Sequence, residues 1–207
     1  MPLAKDVYIH CDVLESLPVE NRENWLHELS FLERNLRQQS SALQVGCMDG
    51  TRILRLLERR PDLHLTGLDI DASLLEIAKE NFKKVGKKVQ TVHADITDAT
   101  LPTRLNTFDA VLCLNNTLGY IADVNAAIAN MKELGKTVYL SVYGEAFTDA
   151  IARAYFTQLG LAMEKIDGDH FLLRDFGDVR RFMKEDVEKW DGTIEETPLG
   201  YMVTIHT

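Results

Sequence analysis

The chain has 207 residues, 45% of them hydrophobic and 27% charged, enough to bury a full core and too ordered in composition for wholesale disorder. Its net charge of −9, with lysines and arginines only in short pairs, argues against a nucleic-acid track, which needs a basic face. The odd set Cys11, Cys47 and Cys113 suggests neither a disulfide framework nor a zinc site, and no apolar run approaches the length of a membrane span. The first residues lack the apolar stretch of a signal peptide, so a cytoplasmic location is the expectation.

In chain order, Glu20–Arg37 reads as a helix with Trp25, Leu29, Leu32 and Leu36 on one face, a stripe suited to covering a sheet. Ala42–Gly46 is a short apolar strand, and Thr51–Arg60 a helix that stops before Pro61. Leu63–Asp69 is a second strand, and Asp71 or Ser73 caps the helix that follows and ends near Gly86. Lys88–His93 and Phe108–Leu114 are further strands. Asp123 caps a helix to Leu134, Thr137–Tyr143 is a fifth strand, and Glu145–Leu159 is a helix.

After Gly160 the pattern changes. Leu161–Ile166 and Phe171–Phe182 alternate and read as added antiparallel strands. Met183–Trp190 is a short helix, and Thr193–Thr197 with Tyr201–His206 forms a closing hairpin around Pro198–Gly200. Alternating strands and helices followed by a hairpin predict an α/β fold. It is a doubly wound, Rossmann-like, mostly parallel sheet whose last strand is antiparallel, with a small antiparallel addition. One domain is expected over 1–207. Residues 1–40 form a helical lead-in, 41–145 a cofactor-binding half, and 160–183 the strands on the substrate side.

The most informative segment runs from Ser41 to Glu80. A strand turning sharply into a helix aims backbone N–H groups and the positive helix end at whatever lies above the turn. Gly46 and Gly50 allow a close backbone approach, and Asp69 closes the second strand about twenty residues on, where a carboxylate can accept from both hydroxyls of a ribose. A tight turn without ligand is the plainer reading of the glycines, and a cap that of Asp69. Asp71 and Ser73 are better placed to cap. Asp95 either closes its own turn or contacts a base, with Ile96 offering an N–H and an apolar face. Asn115, Asn116, Thr117 and Tyr120 follow a central strand and suit a site wall.

Four segments in this order resemble the class I S-adenosylmethionine-dependent methyltransferases over roughly Ala42–Tyr143. QVGCMDG at Gln44–Gly50 is similar to their acidic-x-Gly-x-Gly-x-Gly loop, with glutamine for the acid and Met48 for the middle glycine. LDID at Leu68–Asp71 is similar to the ribose-binding acid, HADITD at His93–Asp98 to the adenine-contacting segment, and FDAVLCLNNTLGYI at Phe108–Ile121 to the strand and loop facing the transferred methyl.

The resemblance implies a seven-stranded sheet and S-adenosyl-L-methionine as cofactor. It implies a cofactor site made by Gln44, Gly46, Cys47, Gly50, Asp69, Ile70, Asp95, Ile96 and Asn115, and no metal. Asn115, Tyr120 and Tyr143 stand nearest the chemistry, which is in-line methyl transfer to a small-molecule acceptor governed mainly by positioning. Tyr8, His10 and Tyr143 are the candidate bases, and Arg174 and Arg181 candidate forks for a substrate carboxylate. A non-catalytic cofactor-binding or partner-binding subunit is the competing reading, as is a methyltransferase of protein or RNA.

Overall fold

The computed structural model describes residues 17–207, so Tyr8, His10 and Cys11 lie outside the described residues. Strand β1 (Ser41–Val45) is an interior strand of a seven-stranded sheet. It pairs in parallel with β2 (His64–Asp69) on one side and β4 (Ala110–Cys113) on the other. Strand β3 (Gln90–His93) extends the sheet beyond β2, and β5 (Thr137–Tyr143) beyond β4, all in parallel. Strand β10 (Gly200–His206) then inserts between β5 and β9 (Thr193–Glu196), antiparallel to both. The order β3-β2-β1-β4-β5-β10-β9 is the expected doubly wound sheet with its last strand reversed.

Side-chain alternation along each strand divides the core into two layers. On one face, Ala42 and Leu112 meet helix α1 (Val19–Asn35), α2 (Thr51–Arg59), α3 (Ala72–Lys84) and α6 (Asp149–Gln158). On the other, Leu43, Val45 and Val111 meet α5 (Val124–Leu134). Trp25, Leu29, Leu32 and Leu36 of the expected stripe are all buried. Asp71 caps α3, accepting from the N–H groups of Ser73 and Leu74, and Asp123 caps α5 through Ala126.

Several boundaries differ from the sequence reading. The helix expected from Glu145 starts at Asp149, because Thr148 accepts the Ile151 N–H as cap and Phe147 turns inward as a fully buried plug. The segment Phe171–Phe182 is two strands, β7 (His170–Leu173) and β8 (Gly177–Arg180), broken at Asp175 and Gly177, which both hold positive φ. With β6 (Met163–Asp167) they form the separate three-stranded antiparallel sheet. Helix α4 (Leu101–Arg104) and a 3-10 turn at Thr117–Tyr120 add short elements that propensity did not mark. The segment after β8 is α7 (Lys184–Val187) run into a 3-10 turn (Glu188–Trp190). The small sheet docks through Phe171, whose ring lies 5.6 Å from Phe147 and 5.9 Å from Phe156.

Candidate functional site

A cavity of about 470 Å³ opens at the carboxyl ends of β1, β2, β3 and β4. This is where an open parallel sheet presents loop backbone and helix starts to a ligand. Gly46, Asp69, Ile70, Asp95, Ile96, Asn115, Thr117 and Tyr120 all line it, so eight of the residues singled out from sequence share one cavity.

The β1–α2 loop is built around Asp69. Its Oδ2 accepts the Met48 N–H at 2.8 Å and its Oδ1 the Asp71 N–H at 3.0 Å. The carboxylate thus holds the loop over the strand end while using one acceptor position on each oxygen, and a carboxylate has about four. Burial raises the Asp69 pKa above its ordinary value, against the pull of these N–H donors.

Met48 adopts φ 50°, the left-handed conformation that glycine takes without strain. Gly46, at φ 67°, has no room for a Cβ: Thr117 Cγ2 would stand 2.5 Å away. Its small size therefore lets the β1 turn and the β4 turn pack together beside the cavity. Gly50, also left-handed at φ 79°, sits under the Phe82 ring, 2.4 Å from where a Cβ would be, and outside the cavity lining. The structure gives Gly50 a packing role where close approach to a ligand was expected.

Asp95 accepts from both the N–H and the hydroxyl of Thr97 through Oδ1, so it closes its own turn while also lining the cavity. Asn130 of α5 donates to the carbonyls of Ile96 and Asp98 and fixes that segment. His93 bonds the Ile70 carbonyl at 3.0 Å, a strand-end contact.

The turn after β4 is the most constrained part of the site. Asn115 and Asn116 are both left-handed, at φ 51° and 57°. Asparagine tolerates this region better than most residues, yet two in succession need outside support. Asn116, fully buried, accepts the Tyr143 N–H through Oδ1 and donates from Nδ2 to the Arg180 carbonyl. The Asn115 N–H donates to Glu28 Oε1 at 3.0 Å, and its Oδ1 accepts from the Tyr143 hydroxyl at 3.0 Å.

Glu28 also accepts from Asn24 and Ser141 and pairs with Arg52 at 2.9 Å, both side chains nearly inaccessible. The Arg52 guanidinium lies 4.4 Å from the centre of the Trp25 ring. Glu28 escaped the sequence reading. Its only trace there is a carboxylate between Trp25 and Leu32 on an otherwise apolar helix face.

Other expected site residues sit elsewhere. Tyr143 is buried, stacked on Phe147 at 4.1 Å, and its hydroxyl reaches Asn115 and Asn21 rather than the cavity. Burial holds its pKa well above the ordinary phenol value. It can orient Asn115, and its raised pKa makes it a poor base at neutral pH. Gln44 and Cys47 are buried in and just beyond β1, neither lining the cavity, and Gln44 Oε1 has no hydrogen-bond partner among the described residues. Arg181 donates to the Phe147 carbonyl and pairs with Asp149, and Arg174 pairs with Glu164 on the surface, so neither stands as a substrate fork. Part of the lining comes from residues that sequence did not single out, among them Tyr155, Leu159, Leu161 and Phe176. Among the described residues, no cluster of three metal-ligating side chains occurs, and no helix is long and apolar enough to cross a membrane.

Comparison with known proteins adds to this geometry. Residues 42–137 match a family profile described as a methyltransferase domain. A carboxy-S-adenosyl-L-methionine synthase of Campylobacter hominis is 32% identical over 94 residues, 45% of this chain and 38% of the relative. The chain spans about two-fifths of the length of the curated relatives it matches first. Among solved structures, an S-adenosylmethionine-dependent methyltransferase from Clostridium acetobutylicum covers 95% of this chain and 94% of its own, with TM-score 0.60 and 14% identity. A SAM-bound amino pentose methyltransferase from Micromonospora echinaspora covers 88% and 92%, with TM-score 0.61 and 20% identity. At these identities the solved structures speak for the fold.

Proposed function

We propose that this chain is a class I S-adenosylmethionine-dependent methyltransferase that transfers a methyl group to a small-molecule acceptor, a reading supported by the methyltransferase-domain match over residues 42–137 and by the fold. The observation that carries the reading is the convergence of Gly46, Asp69, Asp95 and Asn115 on one cavity at the carboxyl edge of the sheet. S-Adenosylmethionine fits the residues present. Asp69 keeps acceptor capacity on both oxygens for a pair of hydroxyls, Asp95 and Ile96 line the same cavity and would contact the base, and the Met48 segment supplies loop backbone above the strand end. When bound, the cofactor supplies an electrophilic methyl on a positively charged sulfur.

The chain's own residues bind, orient and exclude water. The stapled Asn115–Asn116 turn presents a fixed wall opposite the loop, and fixed geometry is the main source of rate when the electrophile is already activated. Tyr143 acts on that wall through Asn115 and is a positioning residue. Tyr120 lines the cavity and remains the candidate nearest an acceptor. A small-molecule acceptor is supported by the cavity's modest volume and by the chain's acidic balance, which suits neither a nucleic-acid backbone nor an acidic surface.

The test is isothermal titration calorimetry with S-adenosylmethionine and S-adenosylhomocysteine. Binding of both with one-to-one stoichiometry is expected. Absence of binding to the folded protein defeats the reading.

A further inference from the structure

We infer that the acceptor is an amine carried on an apolar, ring-bearing body, and not a carboxylate or a phosphate ester. This deepens the methyl-transfer reading and rests on it. Away from the loop and strand ends that suit the cofactor, the cavity continues between the β4 turn, α6 and the small sheet. Its wall there is Tyr120, Ile121, Tyr155, Leu159, Leu161 and Phe176. Tyr120 and Phe176 meet edge to face, ring centroids 5.5 Å apart and planes at 87°. They come from different units, Tyr120 from the 3-10 turn after β4 and Phe176 from the turn between β7 and β8. Tyr120 is 37% exposed and Phe176 half-buried, so an aromatic pair stands at the cavity with ring surface still open to solvent.

Charge points the same way. The charged side chains lining the cavity, among the described residues, are Asp69, Asp95 and Asp123. The guanidinium groups of the small sheet and its exit are held elsewhere. Arg180 pairs with Asp186 at 2.7 Å and lies over the Phe182 ring, and Arg181 pairs with Asp149 at 3.1 Å and lies over the Phe171 ring. With Asp69 and Asp95 turned to the cofactor, an anionic acceptor entering this part of the cavity exchanges hydration for apolar wall with no cationic side chain among the described lining residues, which is unfavourable. An ammonium group meets aromatic faces, which attract cations, with Asp123 as the nearby lining carboxylate.

The transfer then balances without a further reactant. The amine gives its extra proton to water, and its nitrogen lone pair forms the new N–C bond as the S–CH₃ bond breaks. The electron pair of that bond stays on sulfur as the neutral thioether, and the methylated ammonium leaves.

The experiment uses the full chain with methyl-labelled S-adenosylmethionine and a matched series of tyramine, tyrosine and O-phosphotyramine. We expect label on the nitrogen of tyramine, located by mass spectrometry of the product, with a kcat/KM at least about tenfold above either anionic member, and a KM for tyramine about tenfold higher in Phe176→Ala, the order of one cation–aromatic contact; label on the phenol oxygen overturns the inference. Affinity for S-adenosylhomocysteine in Phe176→Ala should stay unchanged. Preferential labelling of tyrosine or O-phosphotyramine overturns the inference, and so does labelling of none of the three by a protein that binds S-adenosylhomocysteine. Loss of S-adenosylhomocysteine binding in the unaltered chain refutes the methyl-transfer reading itself, so the two failures are distinguishable.

Discussion

Glu28 Oε1 accepts the backbone N–H of Asn115 at 3.0 Å across 87 residues of sequence, linking the lead-in helix to the turn that walls the cavity. The same carboxylate neutralises buried Arg52. A single side chain therefore takes part both in a buried ion pair of one core layer and in the backbone of the site.

Removing it should be severe. Glu28→Ala breaks the buried pair with Arg52 and leaves the Asn115 N–H without the Glu28 acceptor, a loss of about 3–5 kcal/mol by the usual scale for breaking a buried pair. Urea unfolding measures it. Glu28→Gln combined with Arg52→Met, which removes both charges and keeps an acceptor, should recover more than half of that loss. A double variant no more stable than Glu28→Ala would show that the ion pair is not the source.

Asp69→Ala removes the charged acceptor proposed for two ribose hydroxyls, each such bond being worth roughly 1.5–3 kcal/mol. Affinity for S-adenosylhomocysteine should fall at least about 30-fold in a folded protein. Calorimetry at neutral pH decides it, and an unchanged affinity removes Asp69 from the binding site.

The pH dependence of Asp69 should run in opposite directions for fold and for ligand. Burial raises its folded pKa above the unfolded value, so its contribution to stability is fully present below the unfolded pKa and is lost as pH rises through the folded one. Ligand hydroxyls need the ionised form as acceptor. S-Adenosylhomocysteine affinity should therefore weaken as pH falls through that raised value, and Asp69→Asn should flatten this part of the profile. Parallel pH profiles for the two proteins would contradict the assignment.

Met48→Gly should be tolerated or mildly stabilising. Relief of a left-handed methionine, of order 1–2 kcal/mol, is set against the greater freedom of glycine in the unfolded chain, up to about 1 kcal/mol. Because Met48 also lines the cavity, affinity for S-adenosylhomocysteine should rise. Weaker binding in this variant would mean that the methionine side chain contributes to the site.

Gly46→Ala should destabilise by more than about 2 kcal/mol, the scale of overpacking a well-filled core, because Thr117 Cγ2 occupies the space of the new methyl. Thr117→Ala in the same chain should restore part of the loss by removing the obstructing atoms. Additive losses in the double variant would place the strain in the backbone alone.

Much of this organisation was legible in the chain. The period-two and helical patterns located β1, β2, β5 and the closing hairpin, and the reversed β10 followed from that hairpin. Asp69, Asp95 and Asn115 were legible because strand ends in an open parallel sheet converge on one edge. Glu28 was not, since a lone acid on a helix ordinarily faces solvent, and only tertiary packing turns it toward Arg52 and Asn115. Tyr143 and Gly50 fall outside the cavity lining, which the sequence did not reveal for the same reason. A strand-end tyrosine and a loop glycine look alike whether the fold spends them on packing or on a ligand. The acceptor-side wall of Tyr155, Leu161 and Phe176 comes from three separate elements, and no local pattern announces their meeting.

Strand β10 lies inside the sheet, flanked by β5 and β9. Until it arrives, the outer edge of β5 has no strand beside it, and the segment 138–142 that borders it is largely apolar. Such an edge pairs readily with another chain. Closing it joins segments more than fifty positions apart, the kind of non-local step that slows folding. During synthesis the nascent chain therefore carries an adhesive border that persists until residues 200–206 have emerged, and the yield of native protein should depend on how quickly that last pairing occurs.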